Sequence, residues 1–114
     1  MKNTQKLDPK AMQAAAARAC GILKVLANPD RLLLLCQLAQ GEYCVSELET
    51  MLQIGQPTLS QQLGVLRDEA LVSTRREGKQ IFYKIDSQEA IAIMTVLNTL
   101  YCQPAQEAQR DSLV

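Results

Sequence analysis

Four cysteines and the complete absence of histidine limit the side-chain chemistry that this 114-residue chain can perform. Cys36 ends the leucine run RLLLLC, and seven residues separate it from Cys44; Cys20 lies in an alanine-rich segment and Cys102 near the end of the chain. Thiols can form disulfides, react with oxidants or sulfur species, or bind soft metal ions. A cysteine among leucines can equally be a small core residue. Spacing along the sequence leaves these roles open, because two cysteines can be linked only when the fold brings them together.

Enzymatic thiol chemistry is not predicted by the surrounding residues. A thiol oxidoreductase would need a Cys-x-x-Cys motif and a cysteine nucleophile would need a histidine base, and the chain has neither. We therefore predict that it is not an enzyme and that it needs no cofactor. The N-terminal sequence MKNTQKLDPK lacks the apolar segment of a secretion signal, and no apolar run reaches the roughly 18 residues of a membrane helix. These features predict a cytoplasmic protein with no membrane partner, in which thiols stay reduced by default.

The charges balance overall but are unevenly distributed. Lys and Arg together number 12, as do Asp and Glu, so the net charge is zero. Residues 56–84 carry an excess of two positive charges, whereas residues 85–114 carry one arginine against four carboxylates. This distribution predicts a positive surface in the middle of the chain rather than a uniformly basic protein.

The apolar pattern predicts a single domain over residues 1–114 that is mainly α with a small β-hairpin. Four segments with helical spacing come first, and glycine or proline marks their ends. The period then changes to two in LVSTRREGKQIFYKI, where Gly78 lies at the bend of a predicted two-stranded hairpin. A fifth helix follows. We expect about residues 10–102 to form the ordered core and residues 103–114 to form a tail.

The fourth predicted helix, in QPTLSQQLGVLRDEAL, combines a narrow apolar stripe with an uncharged polar face. Leu59, Leu63 and Leu66 form the stripe. A face rich in Gln, Ser and Thr is suited to read base edges in a major groove, and hairpin cations are suited to contact phosphates. The alternative is an ordinary solvated surface, but such faces are usually rich in Glu and Lys. The candidate DNA contacts are Gln56, Thr58, Ser60, Gln61, Gln62 and Arg67 on the helix, with Arg75, Arg76 and Lys79 on the hairpin.

A short helix, a turn, a polar helix and a basic hairpin together form the layout of a winged helix-turn-helix. So few cations would give one subunit weak affinity for double-stranded DNA, so we expect a homodimer that reads a palindromic operator. In the last helix, Ile93, Leu97 and Leu100 form one apolar stripe, and Ile91, Met94 and Tyr101 lie near another. A helix with two apolar faces predicts a dimer interface, formed with the first helix. A helix buried on all sides within its own subunit, or a pure protein-interaction module, is the alternative.

Several segments together resemble the ArsR/SmtB-type winged-helix repressors over roughly residues 10–102. They are LANPDRLLLLCQL, VSELE and GQPTLSQQLGVLRDEALVSTRREGKQIFYKI, of which the run from Gln56 to Lys84 is the most specific. The resemblance implies a dimer that blocks transcription and leaves DNA when an inducer arrives. It also implies that the fourth helix reads DNA and that the first and last helices form the dimer interface.

The metal-binding motifs of that family are incomplete in this chain. The arsenic- and cadmium-type motif places two cysteines on the third helix, where this sequence reads EYCVSEL: Cys44 matches the first cysteine and Ser46 replaces the second. The zinc- and nickel-type site needs histidine, which is absent. We predict no metal site, with a soft-metal or arsenite site built from Cys44 and other thiolates as the alternative. Two cap pairs also remain open for this helix, Ser46 with Glu49 or Cys44 with Glu47.

A narrower resemblance concerns the sulfide-sensing branch of the family, the BigR and SqrR type. LLLLCQL in the second helix and LNTLYCQ in the last are similar to the two cysteine segments of that branch. The resemblance implies that Cys36 and Cys102 are the redox-sensing pair, and that reactive sulfur species link them by a disulfide or polysulfide and release DNA. Cys20 lies outside this pattern and is predicted to be structural. Cys44, at a predicted helix N-terminus, would be reactive if it were exposed.

Overall fold

Residues 8–101 are described by the structure, a computed structural model. Cys102 and the predicted tail lie outside the described residues. Five helices and a small antiparallel sheet make up this part of the chain, as the sequence predicts. In chain order they are α1 (Pro9–Leu26), α2 (Pro29–Leu38), β1 (Tyr43–Cys44), α3 (Val45–Leu52), α4 (Gln56–Asp68), β2 (Val72–Glu77), β3 (Gln80–Ile85) and α5 (Gln88–Tyr101).

Side-chain caps fix the beginnings of three of the helices. Asp8 Oδ1 accepts a hydrogen bond of 2.8 Å from the Ala11 backbone N–H at α1, and Asn28 Oδ1 accepts one of 3.0 Å from the Arg31 N–H at α2. Ser87 Oγ accepts from the backbone N–H of Ala90 at α5. Each cap satisfies a donor that the first helical turn leaves unpaired. The sequence ANPD therefore separates α1 from α2 because its asparagine starts the second helix.

The sheet has three strands, in the order β1-β3-β2, where the sequence predicts only two. In β1, Tyr43 pairs with Tyr83 and Cys44 pairs with Phe82. A two-residue strand is too short to produce an alternating pattern, and it exists here because β3 supplies its pairing partner. Gly78 adopts a φ of +65° in the turn between β2 and β3, which a residue with a Cβ rarely tolerates. The extra strand ties the hairpin, hereafter the wing, to the body of the molecule.

The helices pack around a leucine core that orients α4. Leu59, Leu63 and Leu66 of α4 are buried, which confirms the apolar stripe. They pack in one cluster with leucines of α2 and α3. Gln53, with a φ of 57°, and Gly55 shape the short turn between α3 and α4. The buried side chains from the other elements include Leu34, Leu35, Leu48, Tyr83 and Met94.

The faces of α5 differ from the two predicted stripes. Ala90 and Met94 are fully buried on the inner side, whereas Val96 is 56% exposed and Leu100 is 58% exposed. Leu100 is therefore uncovered within its own subunit, whereas Ile93 and Leu97 of the same predicted stripe are partly buried. Within residues 8–101, no helix is both long and apolar enough to cross a bilayer. The outer face of α5 is an apolar surface that its own subunit leaves uncovered.

Candidate nucleic-acid interface and thiol positions

The polar face of α4 points away from the core. Gln61 lies two residues from both Leu59 and Leu63, which places it about 160–200° around the helix axis from the buried stripe. Its side chain is exposed, as are Thr58, Ser60 and Arg67. The face carries no carboxylate before Asp68. This surface can enter a groove without first breaking ion pairs.

Two of the predicted contacts on α4 form hydrogen bonds within the molecule. Gln56 Nε2 donates to Glu49 Oε1 of α3 at 3.1 Å, and Gln62 Oε1 accepts from Arg31 Nη1 at 2.8 Å. The bond from Gln62 leaves its amide N–H groups able to donate elsewhere. These contacts hold both flanks of the helix in place, so Gln56 and Gln62 are less free to read bases than Gln61.

Arg31 is a positioning residue that sequence reasoning missed. Besides Gln62, its guanidinium donates to the Val25 carbonyl oxygen at 2.7 Å from Nε, near the end of α1. A cation at a helix C-terminus satisfies free carbonyls and interacts well with the helix dipole. Arg31 thus joins α1, α2 and α4. The sequence shows only that Arg31 lies in the first turn of a predicted helix, directly after the ANPD break. That position does not reveal that Gln62, 31 residues away, is its hydrogen-bond partner.

The three wing residues predicted to contact DNA fall into two groups. Arg76 and Lys79 are exposed near the tip and form no ion pair within the described part of the chain. Arg75 instead lies 4.7 Å from the Phe82 ring centroid, and its Nε donates to Glu42 Oε2 at 2.9 Å. Its Nη1 also donates to Glu77. Arg75 would have to leave these partners to reach a phosphate, so its observed contacts are those of a residue that holds the wing to the segment before β1.

The Glu42–Arg75 contact predicts an altered carboxylate titration. The hydrogen bond from Arg75 lowers the pKa of Glu42 from its usual 4.5, and the charges of Arg75 and Lys84 act in the same direction. A lowered pKa means that the contact stabilises the folded wing at neutral pH and is lost as the pH falls through that lowered value. In Arg75→Gln we expect the pKa of Glu42 to move back up, as measured by NMR titration of its side-chain carboxyl carbon. Arg76→Gln is the control, and an equal shift there would exclude the specific contact.

Cys44 is buried and acts as the N-cap of α3. Its backbone N–H donates to Glu47 Oε1 at 3.0 Å, so the Cys44–Glu47 alternative is the one observed. Its Sγ lies 3.3 Å from Ser46 Oγ, and the residue is only 4% exposed. The sequence predicts that Cys44 would be reactive if it were exposed, and the structure shows that it is buried. Within residues 8–101 no group of three or more cysteine or carboxylate side chains is arranged to hold a metal ion.

The other described cysteines occupy different environments. Cys20 is exposed on α1 within this subunit, and its structural role stays a prediction. Its alanine-rich neighbours are themselves exposed in this subunit, which the apolar pattern does not reveal. Cys36 is partly buried on α2 and packs against the core cluster. Helices α2 and α5 are in contact, and Cys102 follows Tyr101, the last described residue of α5.

Named relatives share this architecture and up to about half of the aligned residues. Residues 28–74 match the model of the bacterial regulatory proteins of the arsR family. A biofilm growth-associated repressor of Agrobacterium fabrum is 51% identical over 84% of this chain and 82% of its own length. The chain belongs to the arsR family. This confirms the family predicted from the segments around Cys36 and α4, and places the protein among DNA-binding regulators rather than enzymes.

Other members of the arsR family with similar sequences differ in their named activities. The transcriptional repressor BigR of Xylella fastidiosa has a crystal structure that superposes with a TM-score of 0.77, at 48% identity over 86% of this chain and 95% of that one. The transcriptional activator HlyU of Vibrio cholerae is 42% identical over 83% of this chain and 88% of its own length. The superposition confirms the winged-helix fold, and the names of the relatives include both a repressor and an activator.

Proposed function

We propose that this arsR-family regulator is a homodimeric repressor that releases a palindromic operator when reactive sulfur bridges Cys36 and Cys102. The observation that carries the DNA-binding part is the outward, carboxylate-free face of α4, held by the buried leucines of its opposite face. We propose repression rather than activation because the Agrobacterium and Xylella relatives are named repressors. The dithiol part rests on the similarity of the two cysteine segments to the sulfide-sensing branch.

The proposed DNA contacts divide by function. Gln61, with Thr58 and Ser60, reads base edges in the major groove, because a glutamine amide offers a donor and an acceptor side by side. Gln56, Gln62 and Arg67 lie on the flanks of α4 and contact the groove edges. Arg76 and Lys79 at the tip of the wing contact phosphates and set the position of the protein on the duplex. Arg75 contributes by holding the wing.

The dimer is proposed to use the outer faces of α1 and α5. Val96 and Leu100 follow Ala92 at spacings of four and eight residues, and Ala92 lines a groove that α1 shares. Met12 and Leu23 on α1 are each more than half exposed. An uncovered apolar surface of this kind is stabilised when a second copy covers it. Two subunits also double the number of phosphate contacts.

The proposed chemistry needs a persulfide R–S–SH as the sulfur donor. One of the two thiolates attacks its outer sulfur and forms a cysteine persulfide, Cys–S–SH, which keeps the proton, while the donor S–S bond breaks and R–S⁻ leaves. The other thiolate then attacks the cysteine sulfur of that persulfide, forming Cys36–S–S–Cys102 and expelling HS⁻. If both thiols first become persulfides, attack of one on the other expels HS⁻ and leaves a bridge that retains sulfur.

A bridge of this kind would act through α5. Cys36 lies on α2, and Cys102 belongs to the segment that follows α5 in the sequence; the outer face of α5 is the proposed dimer interface. Fixing α2 to this segment changes the position of α5 and therefore the spacing of the two recognition helices. That spacing must match one DNA turn, about 34–36 Å, for both half-sites to be contacted together.

Gln61→Ala is expected to weaken operator binding and reduce sequence discrimination, since the loss of one bidentate base contact costs about 1–3 kcal/mol. That loss corresponds to a roughly 5- to 150-fold rise in Kd, measured by fluorescence anisotropy on the promoter fragment and on a scrambled duplex. Gln40→Ala, an exposed glutamine after α2, is the matched control. A Gln61→Ala variant with unchanged Kd for both duplexes would contradict the assignment of α4 as the reading helix.

The sensing step is tested on the wild-type dimer. Treatment with a persulfide should release the operator and yield a Cys36–Cys102 linkage, with or without added sulfur, in the mass spectrum of the digested protein. Dithiothreitol should restore DNA binding. Release by arsenite with no linkage formed would instead support the soft-metal alternative.

A further inference from the structure

A cavity of about 750 Å³ lies between the end of α2, the sheet and α5. Its volume is within the range of small-molecule binding sites, about 300–1,000 Å³. Leu38, Ile85 and Ile91 give it apolar walls, and Thr95 and Asn98 contribute polar groups. Ile91, which lines the cavity, is 47% exposed.

Cations exceed anions in the cavity wall. Arg75 and Lys84 line it together with a single carboxylate, Glu42. Because Glu42 already pairs with Arg75, Lys84 is the one of these two cations that forms no ion pair within residues 8–101. The pKa of Glu42 is lowered mainly by its hydrogen bond from Arg75, and the charges of Arg75 and Lys84 act in the same direction. An apolar cavity with one uncompensated cation is suited to a small organic anion.

The cavity begins one helical turn from the proposed sensing thiol. Ala39 and Gln40 line the cavity and follow Cys36 by three and four residues. Residues at this spacing lie on the same face of a helix, so the cavity lies at the end of α2 on the face that carries Cys36. The axial rise from Cys36 to Ala39 is about 4.5 Å. Thr99, on the opposite wall, precedes Cys102 by three residues in the sequence. Residues of both walls thus lie three residues in sequence from the two proposed sensing cysteines.

The cavity lies next to the proposed dimer surface on α5. Ile91 and Thr95, which line the cavity, are each one residue, or about 100° around the helix axis, from Ala92 and Val96.

We propose that this cavity binds the carboxylate end of the low-molecular-weight thiol that carries the reactive sulfur, with Lys84 as the specificity-determining cation. The inference rests on the proposed sensing by Cys36. The occupant is an organic persulfide R–S–SH in which R bears a carboxylate, as in persulfides of cysteine-derived thiols. Its reaction with Cys36 is the sulfur transfer already written, and R–S⁻ leaves from the cavity.

The test compares two donors that differ by one carboxylate, the persulfides of N-acetylcysteine and N-acetylcysteamine. The rate of persulfide transfer to Cys36 is measured by quenched-flow mass spectrometry for wild type, Lys84→Gln and the control Lys24→Gln. Lys24 is an exposed cation on α1 that does not line the cavity. We divide the rate for the N-acetylcysteine persulfide by the rate for the N-acetylcysteamine persulfide. This ratio is expected to fall about threefold in Lys84→Gln, which is the size of an exposed ionic contact, and to stay at the wild-type value in Lys24→Gln. The same ratio in Lys84→Gln as in wild type would overturn the proposal.

Failure of the sensing function is a separate outcome. If neither persulfide modifies Cys36, the proposed sensing function is wrong. The cavity is then not a site for a sulfur donor either. Carboxylate binding is then measured directly by NMR titration with N-acetyl-S-methylcysteine, which has no thiol. Amide shifts at Thr95 and Asn98 that disappear in Lys84→Gln support the cavity as an anion site, and their absence in wild type overturns it.

Discussion

Cys36→Ser is expected to bind operator DNA within about twofold of wild type, because a nearly isosteric change at a half-buried position outside the proposed DNA contacts costs little. Its release by persulfide is expected to be abolished, since serine cannot form the sulfur bridge. Fluorescence anisotropy on the operator, before and after persulfide treatment, measures both properties on one sample. The contrast between intact binding and absent release separates a sensing residue from one needed for folding.

The exposed Cys20 provides the matched control for this experiment. Cys20→Ser should bind and release DNA as wild type does, because its thiol is on α1 and outside the proposed pair. Cys102→Ser should reproduce the Cys36→Ser result. Normal release by either Cys36→Ser or Cys102→Ser would exclude the pair as the sensor, and loss of release in Cys20→Ser would assign the reaction to a different thiol.

Val96→Glu is expected to produce a monomer that binds the operator about 100-fold more weakly or worse. The substitution places a carboxylate in the centre of the proposed apolar interface while keeping a good helix former on α5. A monomer reaches only one half-site, and the gain from linked binding, about 10²–10⁴, is lost. Light scattering coupled to size exclusion measures the mass, and anisotropy measures the affinity for the palindrome.

Met51→Glu is the control for oligomeric state, since Met51 is 47% exposed on α3, outside the proposed interface. It should remain a dimer. A Val96→Glu protein that stays dimeric would show that the interface lies elsewhere, even if its affinity for DNA falls. Circular dichroism of both variants distinguishes loss of the dimer from loss of the fold.

The two sets of variants address different steps of one mechanism. The α5 helix carries Val96 on its outer face and is followed directly by Cys102, so the proposed signal and the proposed assembly use the same helix. We expect Cys36→Ser to alter release without altering the mass. We expect Val96→Glu to alter the mass and, with it, DNA binding in the reduced protein.

Local patterns in the sequence determined most of the helical architecture. The spacing of Leu59, Leu63 and Leu66 predicts which face of α4 is buried, because a helix repeats every 3.6 residues regardless of what it packs against. Gly78 predicts the wing turn for an equally local reason, its tolerance of positive φ. The family follows from the longer match around these segments.

Tertiary structure alone decided the features that depend on distant partners. β1 forms because β3 pairs with it, and Arg75 holds the wing because Glu42 lies across the sheet from it. Whether Cys20 is exposed and Cys44 is buried depends on which elements cover α1 and the start of α3, and apolar neighbours in the sequence do not reveal this. The cavity beside Cys36 has the same origin: its walls come from α2, the sheet and α5, and no single segment of the sequence contains it.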